Sequence, residues 1–354
     1  MSGIKLPERA VFLVERGRLG LWSSYRMRLR RKRAKVRAFR KHFSMKTVAD
    51  RTELIRPGHV LLFSTFRDEY VRLPYFLKYY RDLGISHFLM VDNGSTDGGR
   101  EYLAEQPDVS LWSTTASYKR ARFGVDWLNW LLQKYGHGHW TLVVDPDEFF
   151  VYPFCDTRPI RALTDWLEVS QVKSFGAMLL DMYPKGRIDA VPYRAGQDPI
   201  EIASWFDPGN YMISKNHTYG NLWIQGGPRA RVFFSNQPKR APALNKIPLV
   251  KWQRRYAYVS SSHMLLPRGL NLTYDEWGGE RASGVLLHAK FLDTFASKAA
   301  EELTRGQHYA GSVEYKAYAE NFEETPDLWC KWSEKYINWR QLEILGLMSK
   351  GNWA

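Results

Sequence analysis

Three short apolar runs constrain this chain most, because each breaks at the same kind of polar turn. Residues 60–66 (VLLFSTF) lead into FRDE, and residues 87–92 (HFLMVD) break into Asn, Gly, Ser, Thr and Asp. The third, WTLVVDPDEFFVY at residues 140–152, ends a β-branched run in Asp145, Asp147 and Glu148 before turning apolar again. After the first run, Leu73, Phe76, Leu77 and Tyr80 follow helical spacing, and Gly84 suits a C-terminal cap. After the second, Ser95 or Thr96 can cap a helix starting in GGREYLAEQ, and a further helical stretch lies around residues 120–135. Strand and helix alternating over short loops predict an α/β fold with a mostly parallel sheet wrapped by helices. Ligands of such sheets bind outside the carboxyl ends of the strands, so Asp92, Asp145 and Asp147 are expected at one edge.

Two acids one residue apart at the end of a buried strand can hold a divalent cation. Mg²⁺ and Mn²⁺ take oxygen ligands, and a cation already bound to a diphosphate needs only one or two protein carboxylates. The same D-x-D spacing also serves an ordinary turn whose acids are solvated and cap the next helix. Asp92 is likewise placed either to accept hydrogen bonds from a base or ribose, or simply to close a strand-to-helix turn.

Taken in order, FRDE, GISHFLMVDNGSTDG and WTLVVDPDEFF resemble the glycosyltransferase family 2-like proteins of the GT-A fold. The likeness is to the bacterial subgroup whose acidic motif reads D-x-D-E-F. It continues through GGPRARVF (226–233), KIPLVKW (246–252), the SSH ending at His263 and LLHAKFL (286–292), and so covers most of residues 58–292. Asn93 stands where many relatives carry a second Asp. The resemblance implies a nucleotide-sugar donor across the carboxyl edge of the sheet, with its diphosphate on Mn²⁺ or Mg²⁺. Asp147 is then the main metal ligand, and Asp145 binds the ribose or a metal-bound water. Asp92 and Asn93 meet the nucleoside, and Thr65, Arg67 and Glu69 complete the donor site. A histidine joins the metal in many such enzymes; His288, which ends an apolar run as the acids do, fits best, with His263 second. Arg229 or Arg231, beside the Gly226-Gly227 turn, can grip phosphate oxygens bidentately. For the base that deprotonates the acceptor, Asp181 ends the apolar run SFGAMLLD, and Glu276 lies with Asp275 and Glu280 in the Gly-flanked loop YDEWGGERASG. Inversion at the anomeric carbon and a glycan or lipid-linked acceptor, as in cell-surface polysaccharide synthesis, are implied by the same resemblance.

The net charge of +14 would fit a nucleic-acid binder, but its distribution points elsewhere. Residues 1–57 hold 17 Lys or Arg against 4 Asp or Glu, a balance of +13 that leaves +1 for residues 58–354. Ten of the sixteen positions in 26–41 are basic. Such a segment suits an anionic membrane surface, where each basic side chain contributes about 1 kcal/mol. It can also bind nucleic acid through phosphates or remain a solvated helix. Two cysteines, Cys155 and Cys330, are too few for a disulfide framework, so a reducing, cytoplasmic setting is expected, peripheral on a membrane face. No apolar run approaches the roughly 20 residues that span a bilayer.

The expected organisation is a basic N-terminal extension (1–57), a GT-A-like catalytic domain (58–292) and a helical C-terminal annex (293–354). In the annex, Trp329, Trp332, Tyr336 and Trp339 are spaced as one face of a helix. The reading is a metal-dependent glycosyltransferase. The alternatives are a nucleic-acid-binding protein acting through its basic arm, and a relative that binds nucleotide sugar or glycan without turnover.

Overall fold

A computed structural model describes residues 20–274, 281–295, 298 and 326–353. Nine strands form one sheet: β1 (Lys46–Ala49), β2 (Val60–Phe66), β3 (His87–Asp92), β4 (Val109–Ser113), β5 (Trp140–Val143), β6 (Glu148–Val151), β7 (Ser174–Asp181), β8 (Asn245–Lys251) and β9 (Gly284–His288). Their order is β1-β4-β3-β2-β5-β8-β7-β9-β6. Strands β2 to β5 are mutually parallel, and β7 and β9 run the same way, while β1, β6 and β8 oppose them. The fold is thus α/β with a mostly parallel central sheet, as the alternation of apolar runs predicts.

Helices cover both faces of the interior strands, which are buried and read as continuous apolar runs, while the edge strand β1 stays mostly exposed. All seven residues of β2 and all eight of β7 are buried. Helix α1 spans Leu21–His42, α2 Leu73–Leu83, α3 Gly99–Ala104, α4 Val125–Tyr135 and α5 Ile160–Val169. Alternate residues of β2 go to opposite faces: Val60, Leu62 and Phe66 join a core with α2 and α5. Leu61 and Phe63 join a second core with Trp127, Leu128, Leu131 and Leu132 of α4. Helix α2 buries Leu73, Phe76, Leu77 and Tyr80 and ends at Gly84, whose φ of 101° only glycine adopts without strain.

Two expectations about the ends of the chain need correction. The charge run stops near residues 56–58, but the fold does not divide there. Strand β1 pairs with β4 at the sheet edge, and Arg51 donates to the carbonyls of Val109 and Ala104. Helix α1 buries Ala34 and Ala38, and its Arg37 pairs with the buried Asp126 of α4 at 3.3 Å. At the other end, much of the expected annex, residues 296–297 and 299–325, lies outside the described residues. Within 326–353 the aromatic spacing does not make one helix. Glu334–Lys335 pairs instead with Trp205–Phe206, and helix α6 begins only at Trp339 (Trp339–Ile344). Asn338 sets that start, its side chain accepting from the amides of Arg340 and Gln341. Trp332 is 69% exposed and Trp339 3%, so the four aromatics share no face.

Strand β9 fits between β7 and β6 only because Gly284 opens it. A Cβ there would sit 2.6 Å from the Val151 carbonyl oxygen and 2.9 Å from the Phe150 ring. Gly284→Ala is expected to cost about 1–3 kcal/mol, read as a lower denaturant midpoint at unchanged slope. An unchanged midpoint would show that the neighbouring strands yield.

Candidate functional site

Strands β7, β9 and β6 end their apolar stretches in one polar row. Asp181 of β7 is in register with His288 of β9, and His288 with Glu148 of β6. The turn before β6 brings Asp147 to the same place, its carbonyl accepting the Ala289 amide at 2.8 Å. His288 Nδ1 donates to Asp181 Oδ1 at 2.7 Å, and its Nε2 lies 3.3 Å from Asp147 Oδ2. Arg229 Nε donates to the other Asp181 oxygen at 2.7 Å. Arg229, Asp181 and His288 are buried, whereas the Asp147 side chain keeps 22% of its surface exposed. The row therefore has a buried base and one partly open anion at its tip.

The electrostatics follow from this packing. Burial works against a charged imidazole, but Asp147 and Asp181 outweigh it and push His288 up to about 9. Burial would raise Asp147, yet His288, Arg72 and Lys290 hold it below the usual carboxylate range. Asp181 is also lowered, with Arg229 and His288 prevailing over burial.

A second ionic group adjoins the first. Lys246 of β8 is buried, 3.2 Å from Asp145 Oδ2 and in closer contact with Glu148. Burial pushes the Glu148 carboxyl up, opposed by the Lys246 ammonium. Ligand atoms of Asp147, Glu148 and His288 lie within 4.8 Å of one another. The expected metal set had Asp145 with Asp147 and His288; the group whose ligand atoms lie together has Glu148 instead. Asp145 is drawn to Lys246 and borders a cleft with Thr65, Val125, Leu128, Tyr258 and Ser262, while Glu148 is brought beside His288 by strand pairing. A nitrogen and carboxylate oxygens suit Mn²⁺ or Mg²⁺. A carboxylate on the remote nitrogen is the usual way to orient a ligating histidine, and Asp181 occupies that position. The donor set of Asp147, Glu148 and His288 fits a divalent cation, which Asp147 and His288 would hold with Glu148 beside them.

Other expected residues have local partners. Asp92 is fully buried; it accepts the Ser95 amide at 2.8 Å and the Ser113 hydroxyl at 3.0 Å, which makes it the brace of its turn. Asn93 donates to the carbonyls of Thr114 and Ala116, and its own carbonyl accepts from Arg67. Glu69 pairs with Arg72 and Lys298. Arg229 faces Asp181, and Arg231 pairs with Asp207 at 3.0 Å, so both guanidiniums are committed inside the protein. Asp181 is buried, with one oxygen on His288 and the other on Arg229. His263 is lowered to about 4 by burial and Lys246, sits 2.6 Å from the Asn245 carbonyl, and does not join the metal group. Glu276, Asp275 and Glu280 lie outside the described residues.

Sequence reasoning missed Lys246, Arg72 and the place of Glu148. Arg72 bridges Glu69, at 2.8 Å, and the Ala289 carbonyl, at 3.3 Å, fastening the start of α2 beside the metal group. A signal existed: a cation at the head of an apolar run, as Lys246 in NKIPLVK, must find an anion if it is buried.

No protein-family model matches this chain, and no curated protein does. Among solved structures it is similar to a mannosyltransferase from Pyrobaculum calidifontis in complex with GDP-Man and Mn²⁺. That likeness has 18% identity and a TM-score of 0.26, and covers 46% of each chain. The chain thus spans less than half the length of that enzyme. It is also similar to a protein assigned as a glucose-1-phosphate thymidylyltransferase from Bacillus anthracis, in complex with sucrose (8% identity, TM-score 0.28, 82% of this chain and 95% of that one). A third is 4-diphosphocytidyl-2C-methyl-D-erythritol synthase (18% identity, TM-score 0.24, 40% and 66%). At such TM-scores these likenesses carry no weight for function.

Two outcomes are expected of the site. Because His288 is raised from 6.5 to about 9, its contribution to the stability of the metal-free chain is complete below pH 6.5 and is lost as pH rises through 9. Over the same range Mn²⁺ must displace that proton. Calorimetric affinity for Mn²⁺ should therefore rise about tenfold per pH unit from pH 6 towards 9, and a flat profile would remove His288 from the metal. Asp181→Asn leaves Arg229 buried without its carboxylate. It should cost roughly 3–5 kcal/mol of stability and weaken Mn²⁺ binding about 10–100-fold.

Proposed function

We propose that the chain is a metal-dependent glycosyltransferase of the GT-A type, moving a sugar from a nucleotide donor to a glycan or glycolipid acceptor. The observation that carries this reading is the approach of His288 to Asp147 at the carboxyl edge of the sheet, with Asp181 fixing the imidazole from behind. An acid from the D-x-D turn and a histidine from a strand far along the chain are thereby aimed at one point. The D-x-D-E-F and LLHAKF motifs, which suggested the family from sequence, supply those two residues.

When bound, the cation offsets the charge that builds on the departing diphosphate. The chain's own groups do the rest. Asp181 keeps the His288 Nδ1 proton and leaves Nε2 directed at Asp147. Lys246 holds Asp145 at the border of the cleft, where its half-open carboxylate is proposed to meet the ribose of the donor. Thr65, Val125, Leu128 and Tyr258 pack closely beside Asp145. Asp92 and Asn93 shape this edge through the turn they brace. With Asp181 withdrawn into the row, Glu276 is the remaining candidate for the base that takes the acceptor proton, and inversion is the stereochemistry proposed.

The test is a thermal-shift series with nucleoside diphosphates and nucleotide sugars, each with and without Mn²⁺. A ligand at about 100-fold its Kd adds roughly 2.7 kcal/mol, so one nucleotide should raise the melting temperature by several degrees only when Mn²⁺ is present. Asp147→Asn should still unfold cooperatively and lose that shift. A metal-independent shift, or one retained in Asp147→Asn, would overturn the proposed site.

A further inference from the structure

We infer that helix α1 is a docking ridge for an anionic lipid surface, held in a fixed orientation beside the donor cleft. The helix has 22 residues with ten Lys or Arg and no acid, an arrangement that repels itself unless an anionic partner compensates it. Its inner face is settled by Ala34, Ala38 and the Arg37–Asp126 pair against α4. The outer face runs through Trp22, Arg26, Arg33, Val36, Arg40 and Phe43, all exposed and at helical spacing. Cations thus alternate with apolar groups that gain nothing from water; Phe43 is 73% exposed and Trp22 69%. At the C-terminal end Phe39 and Phe43 form an aromatic tip with His42, which stacks on Trp130 of α4 at 4.0 Å.

A partner of this chemistry needs phosphates for the cations and an apolar layer just beneath them for Trp and Phe. The interface of an anionic bilayer supplies both at the depth an interfacial helix reaches. The helix is about 33 Å long; Met27, Arg28 and Arg31 on its flank wall a groove with Arg255 and Arg268, while the face through Trp22, Arg33, Val36 and Phe43 lies outside it. Among the described residues no helix is long and apolar enough to cross a membrane.

Placement gives the docking a consequence. Helix α1 lies on the outer side of α4 and the strand Ala257–Ser260, while Val125 and Leu128 of α4 and the neighbouring Tyr258 line the cleft. A surface gripping α1 therefore lies one helix away from Asp145 at the proposed donor site, which favours an acceptor anchored in that surface. This last step rests on the transferase reading; the docking itself does not.

The experiment is sedimentation of the full chain with vesicles of phosphatidylcholine, alone or mixed with phosphatidylglycerol, across a salt series. Binding is expected only to the mixed vesicles and should weaken with salt. The double variant Arg33→Glu with Arg40→Glu touches no core residue and should reduce partitioning roughly 25-fold or more. Trp22→Ser with Phe43→Ser should remove the part of the binding that survives high salt. Equal sedimentation with neutral vesicles, or no effect of the arginine variant, would overturn the inference. So would capture of a labelled single-stranded RNA under salt at which vesicles are ignored, which would make the ridge a nucleic-acid site. Asp147→Asn should bind vesicles as the unaltered chain does, so failure of the donor site and failure of the ridge are read separately.

Discussion

One hydrogen bond between two buried side chains 107 residues apart, His288 Nδ1 to Asp181 at 2.7 Å, organises the functional edge of this protein. Without it the imidazole could turn, and Asp147 would face no fixed partner. The bond requires that β7 and β9 run parallel in one register, which places the last residues of the two strands side by side. It also requires a buried carboxylate, and Arg229 makes that carboxylate tolerable at 2.7 Å. A charge taken out of water without such a partner costs several kcal/mol. The sheet's register and the buried ion pair are thus one constraint seen from two sides.

The second ionic group is built on the same logic with opposite polarity. Strand β8 enters the sheet between β5 and β7 and carries Lys246 into the interior beside Glu148 and Asp145. One ammonium lets two neighbouring carboxylates remain close to Asp147 without mutual repulsion deciding the geometry. Arg72 performs a similar service from α2, holding the Ala289 carbonyl just past His288. Lys246 holds Asp145 and Glu148 in place, and Arg72 holds Glu69 and the chain just past His288.

How much of this was legible in the sequence depends on the distance over which each feature is specified. The strands at 60–66, 87–92 and 140–143 and helix α2 are local, with apolar periodicity and Gly84 as a stop, and the sequence reading found them. The pairing of His288 with Asp147 was legible because each ends an apolar run at a carboxyl edge. The approach of Glu148 to His288 was not, since it depends on β6 folding back antiparallel beside β9. Asp181 was found as a strand end, but its depth and its hold by Arg229 come from tertiary packing. Asp92 looked like a ligand group and proves to brace its own turn, a distinction spacing alone does not draw. The stripe Trp329, Trp332, Tyr336 and Trp339 had helical spacing, yet strand pairing by Glu334–Lys335 and the cap at Asn338 overrode it.

The central claim is that His288 and Asp147 together hold a divalent cation with the imidazole nitrogen as a direct ligand. Electron spin-echo modulation of the Mn²⁺-loaded chain reads that bond itself. Nitrogen coupling from a single imidazole is expected, lost in His288→Gln and intact in His263→Gln. Mn²⁺ bound with no nitrogen coupling, or coupling that survives His288→Gln, would contradict it.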